Sequence, residues 1–97
     1  MRMMLRFTVP VERGNEAIKD GTLSRTFQSL MDELEPEAAY FYAEKGERAG
    51  MMVFQMADQT KIPQIVEPLF LALNASVEFQ PVMNQHDLKA ALEKLSA

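Results

Sequence analysis

The stretch RMMLRFTV, residues 2–9, alternates without a break: Met3, Leu5, Phe7 and Val9 fall on one side, Arg2, Met4, Arg6 and Thr8 on the other. Successive side chains of a strand point to opposite faces, so a period of two with one apolar side reads as a half-buried β-strand. Pro10 ends it, having no N–H to give to a ladder. The apolar side needs a cover. The other side mixes arginine with methionine, so the sheet has one dry face and one face of mixed character.

The rest of the chain switches between this period and that of a helix. A helical region runs from about residue 15 to Glu35, where Leu23, Phe27, Leu30, Met31 and Leu34 recur at three and four. Asp20-Gly21 is a turn signal inside it, so the pattern predicts a short turn over 15–20 and the main helix from about Thr22, a good N-cap. Glu35-Pro36 closes that helix, because a residue before proline avoids helical geometry. EAAYFYAE is a second strand, with Ala39, Phe41 and Ala43 opposite in sense to Tyr40 and Tyr42. KGERAG, residues 45–50, reads as a hairpin loop and MMVFQMA as the third strand. Asp58 or Thr60 caps the next helix, and Pro63 suits its first turn. Its stripe is Ile62, Ile65, Val66, Leu69 and Leu73, with a kink expected at Pro68 and a left-handed end at Asn74. ASVEFQPV is the fourth strand, and a last helix runs from Asn84 to about Leu95 with Leu88, Ala91, Leu92 and Leu95 at helical spacing.

The order is βαββαβ plus a C-terminal helix, in one domain over residues 1–97. With right-handed crossovers it predicts an α+β, ferredoxin-like sandwich: an antiparallel sheet of order 4-1-3-2 with both long helices on one face. Another α+β topology is the rival.

Charge and cysteine content narrow the function. The net charge is -4 and the ten basic residues are spread along the chain, which argues against nucleic acid as a partner. There is no cysteine, so disulfides, thiolate catalysis and cysteine zinc sites are excluded. The first sixteen residues do not read as a signal peptide, and no apolar run approaches the roughly 18 residues of a membrane span. The expectation is a cytoplasmic protein without a membrane partner.

The segments PEAAYF (36–41), EPLFLALNA (67–75) and PVMNQHDL (81–88) resemble a small family of uncharacterised bacterial proteins of ferredoxin-like fold, in the dimeric α+β barrel group. The resemblance covers nearly the whole chain. It implies a homodimer and no particular activity, because that group holds monooxygenases, isomerases and non-enzymatic binders. No catalytic motif carries over.

His86, the only histidine, is the obvious candidate for acid–base chemistry. Asn84 followed three residues later by Asp87 looks like a capping box, which places His86 in the first turn of a helix as a solvated residue. One histidine and no cysteine leave only scattered carboxylates for a metal, so neither metal nor cofactor is expected. The eight methionines read as core and interface filling, with Met3, Met4, Met51, Met52 and Met56 in strands. GERAG leads from strand to strand, not into the helix N-terminus a phosphate loop needs.

The uncovered sheet face is the better place for a site. Met4, Arg6, Thr8, Tyr40, Tyr42, Gln55, Glu78 and Gln80 share it, and apolar bulk with convergent polar groups suits a pocket or an oligomer interface. Arg6 and Glu78 form a cross-strand ion pair, either a partly buried structural pair at a dimer interface or part of a polar ligand site. The expected function is a homodimeric module binding a small ligand or a protein partner at this face. The alternative is a cofactor-free enzyme, monooxygenase- or isomerase-like, with Glu78 or a tyrosine as acid/base in an inter-sheet cavity.

Overall fold

In the computed structural model, which describes residues 1–96, the alternating stretch is one of the two inner strands of a four-stranded antiparallel sheet. The strands are β1 (Arg2–Val9), β2 (Ala38–Glu44), β3 (Glu47–Gln55) and β4 (Ser76–Pro81), in the order β2-β3-β1-β4. This is the 4-1-3-2 order read from the other edge. The helices are α1 (Val11–Lys19), α2 (Thr22–Leu34), α3 (Ile62–Leu73) and α4 (Gln85–Leu95).

Two central rows of the sheet's dry face run Leu5 beside Met52 and Phe79, and Phe7 beside Gly50 and Val77. Over them lie α2, through Leu23, Phe27, Leu30, Met31 and Leu34, and α3, through Ile65, Leu69 and Leu73. Leu5, Val9, Met52, Leu69 and Leu73 are fully buried. Each such side chain contributes about 1.5–3 kcal/mol relative to exposure, which makes this layer the main source of stability. Met3, Met52 and Met56 belong to it, while Met4 and Met51 are half-buried on the opposite face. Met56 lies one residue past β3 and is held there by donating its N–H to Met1 O.

Four local expectations are corrected. Residues 15–19 are helical, not a turn: α1 begins directly after Pro10 and runs to Lys19, and the break signalled at Asp20-Gly21 separates it from α2. Its buried face is Gly14 and Ala17, small residues that let the helix approach closely, while Val11 and Ile18 face outward. No apolar stripe announces such a helix; Arg13, donating from Nε to Ala72 O of α3 at 2.8 Å, helps dock it. Thr22 is the first residue of α2, not its cap. Gly21 takes the cap position, and the Thr22 N–H is accepted by Asp20 Oδ1 at 2.9 Å. The hairpin loop is two residues, Lys45 and Gly46, with φ of 50° and 81°. Both central residues at positive φ match the twist of flanking strands, and glycine takes the second at no steric cost. β3 therefore starts at Glu47. Finally, Asp58 caps a 3-10 turn, Gln59–Lys61, accepting the Thr60 N–H at 2.8 Å, and α3 follows without a break across Pro68. Glu35 and Asn74 close α2 and α3 in left-handed geometry, φ 43° and 52°.

The last helix stands apart. α4 opens with a reciprocal capping box, Asp87 N–H to Asn84 Oδ1 and Asn84 N–H to Asp87 Oδ2, yet buries no residue. The chain measures 56 × 28 × 17 Å with a radius of gyration of 15.5 Å. A compact chain of this length has a radius near 12.5 Å. Among the described residues no helix is long and apolar enough to cross a membrane.

Candidate functional site: the open sheet face

Strand pairing arranges the uncovered face in rows across all four strands. One row is Tyr40, Met51, Arg6, Glu78; the next is Tyr42, Ala49, Thr8, Ser76; on the other side run Ala38, Val53, Met4, Gln80. Gln55 lies beyond, opposite Arg2. The core helices α2 and α3 pack on the other side of the sheet, so Tyr40 remains 66% exposed and Tyr42 40%. All seven candidate polar positions, Arg6, Thr8, Tyr40, Tyr42, Gln55, Glu78 and Gln80, share this face, because the period of two leaves them no alternative.

They do not all converge. Arg6, Thr8 and Glu78 line a cleft of about 480 Å³ at one end of the face, with Glu44, Lys45 and Ser76 completing its polar wall. The tip of the β2–β3 hairpin brings Glu44 and Lys45 there. Tyr40 sits two strands from β1, Tyr42 shares the Thr8 row but does not line the cleft, and Gln80 and Gln55 lie one and two rows off. Glu44 and Ser76 were absent from the expected set although their parity in the strands, shared with Tyr42 and Glu78, places them on this face. Lys45 belongs to a turn, and no periodicity reaches it.

Arg6 Nη2 donates to Glu78 Oε2 at 2.7 Å, directly across the β1–β4 pairing. The expected partly buried pair is exposed in the single chain, the side chains retaining 48% and 73% of their accessible area. The reason is the missing layer above it. The Glu78 hydrogen bond is the main cause that raises the Arg6 pKa above its ordinary value, with Tyr42 and Glu44 adding to it.

At the opposite end of the face, Arg2 bonds two carboxylates: Nε to Glu37 Oε1 at 2.6 Å, and Nη1 to Asp87 Oδ2 of the α4 capping box. Its side chain is 17% exposed, the more enclosed of the two open-face arginines. Arg2 thus fastens the start of α4 to the sheet, a role that strand parity alone does not reveal. Asp87's carboxyl is held below the usual carboxylate range, first by the Asn84 N–H and then by Arg2. His86 is exposed in the first turn of α4, as the capping box requires. Among the described residues there is no cluster of three or more histidine, cysteine or acidic side chains that could hold a metal ion.

No family model matches this sequence, and no curated protein matches it. Among solved structures, the chain is similar to the de novo designed protein Ferredog-Diesel, at 9% identity and a TM-score of 0.50, over 84% of this chain and 85% of that one. At that identity the likeness carries the fold alone: a ferredoxin-like α+β domain built on a four-stranded antiparallel sheet.

Proposed function

We propose that this protein is a homodimeric α+β module that pairs through its open sheet face and binds a small polar ligand in the cleft beside Arg6 and Glu78. The observation that carries the reading is the centre of that face. Met4, Met51 and Val53, each half-buried, sit beside Tyr40, 66% exposed, and the exposed Arg6–Glu78 pair, on the side of the sheet away from α2 and α3. Exposed tyrosine beside half-buried methionine and valine on one sheet face is the mixture of apolar bulk and polar rim that marks interaction surfaces. The pairing is of the kind the dimeric α+β barrel resemblance implies.

Size supports a contribution from α4. Four strands about 4.8 Å apart and about 26 Å long present roughly 500 Å² of flat surface. A standard interface buries about 800 Å² on each partner. Leu88, Leu92 and Leu95 of α4 are 46%, 51% and 81% exposed, and Arg2 anchors this helix at the same face. Laid on a second copy, that stripe supplies the missing area and gains the cover its own chain lacks. A cytoplasmic location, expected from the sequence, stands as part of the same proposal.

The enzyme alternative draws no support from Glu78. A general base works in a cleft that limits water, whereas Glu78 is 73% exposed and committed to Arg6. Small-angle scattering at micromolar concentration tests the dimer. The unmodified chain should scatter as a dimer, and Met51→Glu, which places a charge in the centre of the patch, as a monomer. A monomer in both samples overturns the reading.

A further inference from the structure

A second surface, on the helix-bearing side, carries an open aromatic groove. Phe41 of β2 faces α2, yet it is 53% exposed, because the helices cover the inner strands and leave this edge strand bare. Its ring stands 5.5 Å from Phe27 of α2 and 6.4 Å from Phe7, and Phe27 stands 5.1 Å from Phe7. With Leu23 and Met31 the three rings wall a groove of about 670 Å³ between α2 and β2. That volume lies within the range of small-molecule sites.

Arg48 of β3 lines the same groove. Its guanidinium has five N–H donors, and its hydrogen bonds go to neutral oxygens, Asn15 Oδ1 at 3.0 Å and Val11 O at 3.4 Å. Arg2, Arg6 and Arg13 each meet a carboxylate; Arg48, like Arg25, meets none among the described residues, and of the two it is Arg48 that lines this groove. Two glycines make the room. A Cβ on Gly14 would lie 2.5 Å from Arg48 Nη1, and one on Gly50 would lie 2.6 Å from the tip of Phe7. The other polar lining residues, Ser24, Gln28 and Tyr42, are uncharged groups. A single fixed cation with unused donors at an aromatic groove calls for a monoanion with an apolar body. The planar fork of a guanidinium matches a carboxylate.

We infer that this groove binds a small amphiphilic carboxylate, its apolar body against Phe27 and Phe41 and its charge on Arg48. Each protomer carries the whole site, whose aromatic wall lies on the helix-bearing side of the sheet with Tyr42 and Ala49 at its border with the open face, and the ligand shifts are read separately from dimerisation.

The probes are decanoate and decan-1-ol, titrated into the isotopically labelled full chain and followed by amide chemical shifts. With decanoate the shifts should concentrate in residues 23–31, 41 and 48–50 and leave residues 4, 6 and 78 unmoved. Decan-1-ol should bind about tenfold or more weakly, the worth of one charge-assisted contact. Arg48→Gln should erase that preference, Arg48→Lys should keep part of it, and Phe41→Ala should weaken both ligands alike. The comparison of the two ligands on the unmodified chain holds whether or not an Arg48 variant folds. Absence of binding, equal affinity for acid and alcohol, a preference that survives Arg48→Gln, or shifts centred on the open face would each overturn the inference.

Discussion

Arg6 and Glu78 meet across β1 and β4 with solvent above them in the single chain. Exposed pairs of this kind contribute little, because water already solvates both charges. Beneath a partner copy the same pair would be desolvated, and removing one charge would strand the other. A double-mutant cycle on Arg6→Met and Glu78→Gln should therefore show coupling in dimer dissociation and almost none in the unfolding of a monomeric variant such as Met51→Glu. Coupling absent from both measurements sinks the pair as an interface device and leaves it to the ligand cleft. His86 is the opposite case, a residue whose rarity in the sequence overstates its importance. It caps nothing itself and is exposed beside Asp87. His86→Ala should move the denaturant midpoint by the equivalent of no more than about 0.5 kcal/mol, as surface substitutions usually do. A larger loss would mean that the imidazole makes a contact in the assembled protein.

Among the elements, α4 is the one whose stability is local. Its start is held by the Asn84–Asp87 box and by Arg2, and it has no core contact to fall back on. Asp87 titrates below the ordinary carboxylate range in the folded chain because Asn84 N–H and Arg2 favour its ionised form. The charged groups around it are Arg2 of β1, Glu37, which shares that arginine, and the adjacent His86. A depressed folded-state pKa means stabilisation that is complete above about pH 4. It is lost as pH falls through the folded value. Amide exchange of residues 85–90 should accelerate below that point while the sheet stays protected. Protection of these amides that stays constant down to the pH at which the sheet itself loses protection would show that the box does not depend on the charge. β2 is the other poorly covered element: it pairs with β3 on one edge and exposes Tyr40, Phe41 and Tyr42 on its two faces. An edge strand with that much aromatic surface is a hazard for a free monomer, which agrees with both proposed occupants, a second copy on one face and an apolar acid on the other.

At the scale of the whole molecule, the radius of gyration of 15.5 Å exceeds the compact value because α4 extends from the domain. Removing residues 85–97 takes away Leu88, Leu92 and Leu95 but no part of the core. The truncated chain should keep its monomer unfolding midpoint nearly unchanged and should dissociate at higher concentration than the full chain. Sedimentation or scattering over a dilution series measures this. If truncation lowers the midpoint of a monomeric variant instead, α4 packs on its own chain and has no share in the interface.

The sequence by itself determined the two faces of the sheet and the C-terminal ends of α2 and α3, and its order of elements anticipated the strand order through the handedness of crossovers. The faces and the helix ends rest on short-range physics: a period of two assigns every residue of β1 to a face, and Glu35 before Pro36 and left-handed Asn74 mark helix ends within a residue or two. The Asn84–Asp87 box was legible for the same reason, since both partners lie within one turn. Tertiary structure decided α1, whose buried face is a glycine and an alanine and whose docking uses an arginine reaching the end of α3. It also decided the two-residue hairpin, where Glu47, Arg48 and Gly50 read as loop but are drawn into the ladder by β1 and β2. The candidate sites followed the same division. Parity placed Arg6, Thr8 and Glu78 together, but the turn of the hairpin carried Lys45 to them, and the distance between α2 and β2 left Phe41 open beside Arg48. Such convergence joins residues far apart in the chain through the packing of whole elements, and no local period in a sequence encodes it.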